Sequence, residues 1–151
     1  MVYIIAGATG VVGSAISKEL AKENEVHLIG RDEEKLSSLS KEIDAQYSLI
    51  DLTKTIEQRE FSKIIPDDKE IKGLVNCIGS ILIKPLHGTK TEEFEEVLRV
   101  NLFSSYYLLS SFARRMKNGS AIFFSSVAGT KGLSNHEAIA AAKALSLIHI
   151  S

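Results

Sequence analysis

Gly7, Gly10 and Gly13 stand three apart in Gly7-Ala8-Thr9-Gly10-Val11-Val12-Gly13, directly after the apolar run of residues 2–6. A glycine loop between a strand and a helix lets the backbone approach a pyrophosphate closely, and the helix start supplies N–H groups and partial positive charge to bind it. Thr9 and Val12 belong to the same set of candidate contacts. The spacing is Gly-x-x-Gly-x-x-Gly rather than Gly-x-Gly-x-x-Gly, so a tight strand-to-helix turn is the competing reading. Its place after the first strand favours the nucleotide. A second signal lies at Gly30-Arg31-Asp32. An acidic residue ending the second strand would bind the 2′-hydroxyl of NAD, whereas arginine accommodates the 2′-phosphate of NADP. Glycine ends the strand and Arg31 follows, which favours NADP(H) over NAD(H). Arg31 as a surface charge and Asp32 as a helix cap remain the alternatives.

These residues need a scaffold, and the apolar patterning predicts one. Short β-branched runs at 2–6, 25–29, 46–50, 73–76 and 121–125 alternate with stretches of helical period at 11–22, 32–43, 55–65, 92–117 and from about 135. This is the pattern of an α/β fold: a Rossmann-like, doubly wound parallel sheet with helices on both faces. Pro66 and Pro85 fall outside the helices, and Gly119 follows the long one where a stop is expected. That helix is apolar on more than one side, through Val97, Val100, Phe103, Tyr106, Leu108 and Phe112 among others. Such breadth predicts either a broad buried face or a partner subunit, in a homo-oligomer such as a dimer or tetramer.

Composition excludes several functions. Eighteen basic residues against nineteen acidic ones leave a net charge of −1, and the basic residues are scattered, so nucleic-acid binding has no electrostatic footprint. No apolar run is long enough to span a membrane, and residues 1–5 begin as a strand without the basic region of a signal peptide. The single cysteine, Cys77, excludes an internal disulfide and a cysteine-built zinc site, so no metal is expected and a cytoplasmic location is.

Taken together, the residues resemble the short-chain dehydrogenase/reductase family from position 1 to about 144. The glycine loop, Asp51 after the third strand, Val75-Asn76-Cys77-Ile78-Gly79 after the fourth, Asn101 in the long helix, Ser126 after the fifth strand and Lys143 occur in the family's order. The resemblance implies that Asp51 contacts the adenine, that Asn76 braces the central strand beside the cofactor, and that Leu52 and Gly79 join the cofactor contacts. Asp51 capping a helix with Thr53, and Asn76 satisfying buried backbone groups, are the plainer readings. The resemblance further implies hydride transfer between a nicotinamide and a small-molecule carbonyl or alcohol. In the family a serine polarises the carbonyl, a tyrosine transfers the proton, a lysine lowers the tyrosine pKa and holds the nicotinamide ribose, and an asparagine orders a water. Ser126, Lys143 and Asn101 match three of the four.

The fourth is missing. The family's tyrosine lies four residues before the lysine and commonly thirteen after the serine, and both intervals point to Ile139. His136, one helical turn earlier, is the first substitute to consider, although it also suits a helix cap. Glu137, Ser125 and Tyr106 have no spacing that aims them at the site. The leading expectation is an NADP(H)-dependent oxidoreductase with a replaced proton donor; the alternatives are a catalytically inactive NAD(P)-binding sensor or support subunit, and a non-redox use of the nucleotide.

Residues 145–151, Leu-Ser-Leu-Ile-His-Ile-Ser, are identical to what translating the end of a transposon adapter used in sequencing libraries would give. We expect them to be a non-native tail on an incomplete domain spanning 1–144, with His149 carrying no role. An amphipathic continuation of the helix is the competing reading. A sixth strand and substrate-covering segments would then be missing, leaving an exposed sheet edge and an inactive fragment.

Overall fold

The computed structural model describes residues 1–150, with backbone alone for 147–150. The reading of His149 as without a role and that of Ser151 as adapter-derived therefore fall outside the described side chains. Five parallel strands, β1 (Val2–Ala6), β2 (Glu25–Gly30), β3 (Gln46–Leu49), β4 (Ile71–Asn76) and β5 (Ser120–Phe123), form one sheet in the order β3-β2-β1-β4-β5. The helices between them are α1 (Val11–Leu20), α2 (Glu33–Ile43), α3 (Gln58–Ser62), α4 (Thr91–Leu98), α5 (Ser104–Phe112) and α6 (Glu137–Ile150).

Alternation along the strands divides the core in two. Ile5, Leu28 and Val75 face α1 and α2, where they pack with Leu36 and Leu39. Ile4, Leu74 and Ile71 face the other way, onto Phe61 of α3 and Leu108 and Phe112 of α5. Both faces of the sheet are thus covered, which is why its central strands read as continuous apolar runs. Phe61 and Phe112 meet edge to face at 5.0 Å between ring centres. A third cluster joins α6 to α4 through Ile139, Ala142, Ala138 and Val97.

Several boundaries differ from the sequence expectation for identifiable reasons. β4 starts at Ile71 rather than 73 because Ile71 pairs with Val2. The helix expected over 55–65 shrinks to α3. The Glu57 side chain accepts from the Glu60 N–H at its start, and Arg115 donates to the carbonyls of Ser62, Ile65 and Pro66 beyond its end. The helix expected over 92–117 is α4, a π turn at Arg99–Phe103, then α5 and a closing 3₁₀ turn at Ala113–Arg115. Its two apolar sides do exist: Leu108 and Phe112 point into the core, while Phe103 and Tyr106 stay 42% and 41% exposed. β5 forms one edge of the sheet, and its Ile122 and neighbouring Phe124 remain about half exposed. Among the described residues no helix is long and apolar enough to cross a membrane.

Candidate functional site

The strand order reverses between β1 and β4, so the helices leaving them turn to opposite faces and a crevice opens at their carboxyl ends. The loop after β1 sits at that crevice. Gly7 has φ of +72°, a left-handed conformation, and a Cβ there would lie 3.0 Å from the Cys77 carbonyl carbon. A Cβ on Gly13 would lie inside van der Waals contact of the Gly7 carbonyl oxygen and 2.9 Å from the Ala8 Cα. The turn is closed against its own helix by these absences. α1 then starts from Gly10 with no side chain capping its first N–H groups, and Val11 is 92% exposed. An uncapped, glycine-lined helix start open to solvent fits the pyrophosphate of a dinucleotide.

At the far side, beyond β2 and β3, Arg31, Asp51, Thr53, Lys54 and Arg99 line a cleft of about 560 Å³. Asp51 accepts from the Thr53 N–H at 3.0 Å and from its hydroxyl at 2.7 Å, as a cap would, but these bonds close a turn, since the next helix starts only at Gln58 and is capped by Glu57. Burial pushes its carboxyl upward, but the Thr53 bonds and the nearby charges of Arg31 and Lys54 outweigh it and hold Asp51 below its usual range. Asp32 caps α2 by accepting from the Lys35 N–H at 3.1 Å, so it is engaged with the helix while Arg31 beside it stays exposed. The Leu52 side chain is sunk in the core, so only its backbone can reach a ligand. Lys54 was not singled out from the sequence; its signal is a basic residue three positions after Asp51.

The middle of the crevice is braced by Asn76, at the end of β4. Its Nδ2 donates to the hydroxyls of Ser104 and Ser105 at 3.0 and 2.9 Å, and its Oδ1 accepts from the Ile78 N–H at 3.0 Å. The strand is thereby tied to the first turn of α5. Asn101 sits inside the π turn, a distortion often found at functional positions. Its Nδ2 donates to the Val97 carbonyl at 3.0 Å and the Ser80 hydroxyl at 3.1 Å, and its Oδ1 accepts from the Ser80 N–H at 3.2 Å. Ser80, Ser104 and Ser105 were missed in the sequence. The serine pair could have been noticed as a polar step at three and four residues after Asn101 in an apolar stretch.

Lys143 comes from α6 and is 9% exposed. Its Nζ donates to the Phe124 carbonyl at 2.7 Å, just past the end of β5, and burial pushes its pKa below the ordinary lysine value. A Cβ on Gly79 would lie 3.5 Å from Asn101 Oδ1 and 4.0 Å from Lys143 Nζ, so those two side chains converge on the space over Gly79. Ser126 follows β5, and its hydroxyl oxygen accepts from the Ala128 N–H at 3.2 Å, leaving the hydroxyl proton for another partner. Ile139 is 2% exposed and packed against Val97, Ala128 and Ala142. His136 stands just before α6, and its Nδ1 donates to the Ser134 carbonyl at 2.8 Å. That bond is local, and among the described residues no hydrogen bond joins His136 to Ser126, Asn101 or Lys143. Cys77 is a packed thiol that burial pushes up to about 11.

The family model for short chain dehydrogenases matches residues 1–147, and the chain belongs to that family. It is 31% identical over 134 residues to a 3-oxoacyl-[acyl-carrier-protein] reductase of Rickettsia conorii, covering 85% of this chain and 55% of that protein. It is 29% identical over 157 residues to the 3-ketodihydrosphingosine reductase of Bos taurus, covering 93% and 47%. The chain spans about half the length of the curated relatives it matches. A metagenomic short-chain oxidoreductase in complex with NADP superposes with a TM-score of 0.87 at 31% identity, over 99% of this chain and 72% of that one. A short chain dehydrogenase of Shigella flexneri, at 22% identity and a TM-score of 0.88 over 97% and 62%, shares the fold.

Proposed function

We propose that this chain carries the NADP(H)-binding and catalytic core of an oxidoreductase acting on the carbonyl or alcohol group of a small molecule. The observation that carries the reading is the pairing, along one crevice, of the uncapped α1 start with the meeting of Asn101 and Lys143 over Gly79. The reduced nicotinamide, when bound, supplies the hydride. The chain's own groups then have separate tasks. Thr9, Val12 and Gly13 present backbone N–H groups to the pyrophosphate, while Gly7 and Gly10, whose N–H groups donate to the Ile29 and Gly7 carbonyls, join the cofactor set by letting the backbone come close. Arg31, with Lys54 behind it, receives the 2′-phosphate, and Asp51 and the Leu52 backbone meet the adenine. Ser126 polarises the substrate oxygen, and Asn101 and Lys143 hold the nicotinamide end beside Asn76 and Gly79. The NADP named with the metagenomic neighbour, and the reductase names of the two similar proteins, support this direction.

Two further parts belong to the same proposal. The exposed side of the long helix, where Phe103 and Tyr106 lie beside Leu102, supports assembly with a second copy in the whole protein. A cytoplasmic location is proposed on the single free cysteine, Cys77.

One observation favours a second reading, a protein that binds the dinucleotide without chemistry: position 139 holds a buried isoleucine where a proton donor would stand. Titrating the full natural gene product with NADPH and NADH, then following NADPH oxidation against a panel of aldehydes and ketones, separates the two. Binding with turnover is the expected result. Binding without turnover on any substrate would favour the second reading, and no binding would sink both.

A further inference from the structure

We infer that Lys143 is itself the proton donor of this site: its ammonium group, rather than a phenol beside it, protonates the oxygen of the carbonyl being reduced. This deepens the oxidoreductase reading above and rests on it.

The other candidates are occupied or unsuited. Ile139 has no proton to give, and its surroundings, Val97, Ala128, Ala138 and Ala142, are apolar on every side described. His136 is held by its Nδ1 to the Ser134 carbonyl, outside α6, and among the described residues it makes no hydrogen bond to Ser126, Asn101 or Lys143 that would place its free Nε2 at the site. Cys77 is half-buried against the strand-to-helix packing, and a thiol pushed up to about 11 is a poor donor at neutral pH.

Lys143 is placed differently. An ammonium has three N–H donors, and one of them is fixed on the Phe124 carbonyl at 2.7 Å. Nζ lies 4.0 Å from the point where a Cβ would project from Gly79, with Asn101 Oδ1 3.5 Å from that same point. Gly79 and Ser80 are exposed, so the space the missing side chain leaves is open to a substrate and to solvent. Around the amine lie the Phe124 carbonyl after β5 and the space over Gly79 that Asn101 Oδ1 also borders, all uncharged, while Gly129 packs on the Lys143 Cβ. Among the described residues no carboxylate pins the charge, and burial lowers the lysine from its ordinary value, toward the range in which an amine exchanges protons usefully.

The step balances. One Nζ–H bond breaks and its proton forms an O–H bond on the carbonyl oxygen, which takes the π electron pair as hydride from the reduced nicotinamide makes the new C–H bond. The neutral amine left behind regains a proton from water reaching it over Gly79. In the oxidative direction the neutral amine accepts the alcohol proton.

The test uses the full natural gene product and begins with a measurement that needs no turnover. Reductive methylation of lysines with ¹³C-formaldehyde, with Lys143→Arg to assign the signal, gives the Lys143 titration by NMR with and without NADPH. We expect it well below the other lysines. We also expect Lys143→Arg, which keeps the charge but cannot release a proton, to hold NADPH within about tenfold while turnover falls about 10²- to 10⁴-fold. The basic limb of kcat/KM in the wild type should follow the NMR titration, whereas His136→Ala should leave that limb in place. An ordinary lysine titration, or turnover that survives in Lys143→Arg, would overturn the proposal. Failure of the wild type to bind either dinucleotide would instead overturn the oxidoreductase reading, and this inference with it.

Discussion

The two ends of the crevice are built from different materials. Around α1 the site is made of backbone: Gly7 and Gly13 work by lacking side chains, and the ligand-facing groups are amides that every residue carries. Around α6 it is made of side chains, Lys143, Asn101 and Ser126, each held by one or a few hydrogen bonds. A backbone site fails when anything is added to it. A side-chain site can lose one member, as position 139 has, and keep the remaining geometry in place. The difference teaches where function can change: the α1 end is bound to one ligand class, while the α6 end can be given a different proton donor by one substitution.

Adding bulk to the backbone end is expected to have the largest effect. Gly13→Val would force Cβ and two methyl groups into the Gly7 carbonyl and the Ala8 Cα. We expect dinucleotide binding to vanish and stability to fall by about 3 kcal/mol or more, read by fluorescence titration and urea denaturation. Unchanged NADPH affinity would break the distinction between the two ends.

Acid comes next, through His27. This residue is buried on β2 with its Nε2 2.8 Å from the Ser48 hydroxyl; burial lowers its pKa to about 4, with Glu25 partly opposing the shift. A histidine lowered in the folded state takes up its proton more readily when unfolded. Its contribution is therefore fully present above about pH 6.5, the unfolded value, and is lost as pH falls toward about 4. The loss should reach about 3 kcal/mol, while His27→Gln flattens the slope in chemical denaturation between those limits. A wild-type slope no steeper than the variant's would remove His27 as the cause.

Restoring a phenol at the side-chain end should have a smaller effect. Ile139→Tyr places a larger, polar group in the packing of Val97, Ala128 and Ala142, so we expect a loss of about 2 kcal/mol and no gain in turnover. A tenfold rise in kcat would show that the side-chain end lacks only its tyrosine. Smallest is Arg31→Ala, which should weaken NADPH about tenfold and leave NADH nearly unchanged, since only the 2′-phosphate is concerned. Equal losses for both cofactors would reassign Arg31 to the pyrophosphate or the adenine.

Much of this division was legible in the residues. The glycine loop, the apolar strands and their order along the chain follow from local rules, so the doubly wound sheet and the backbone end could be read directly. Asn76, Asn101, Ser126 and Lys143 were legible by resemblance. What could not be read depends on contacts distant in sequence. The π turn at Asn101, the shortening of α3 by Arg115, and the burial of Leu52 are set by packing partners tens of residues away. His136 shows the same limit from the other side. Spacing puts it one turn before Ile139, but the local bond to Ser134 and a helix that begins at Glu137 leave it outside the regular face. The serine contacts of Asn76 were marked only by the polar step after Asn101, and that of Asn101 was hidden because Ser80 lies in a loop where a serine has no distinctive pattern.

The most direct test of the dinucleotide crevice is a fluorescence titration of the folded protein with NADPH and NADH, with Gly13→Val as the control. Saturable one-to-one binding, tighter for NADPH and absent in the variant, is the expected result. A protein shown to be folded by its cooperative melt that saturates with neither dinucleotide would contradict the assignment of the α1 end, and with it the function proposed for the chain.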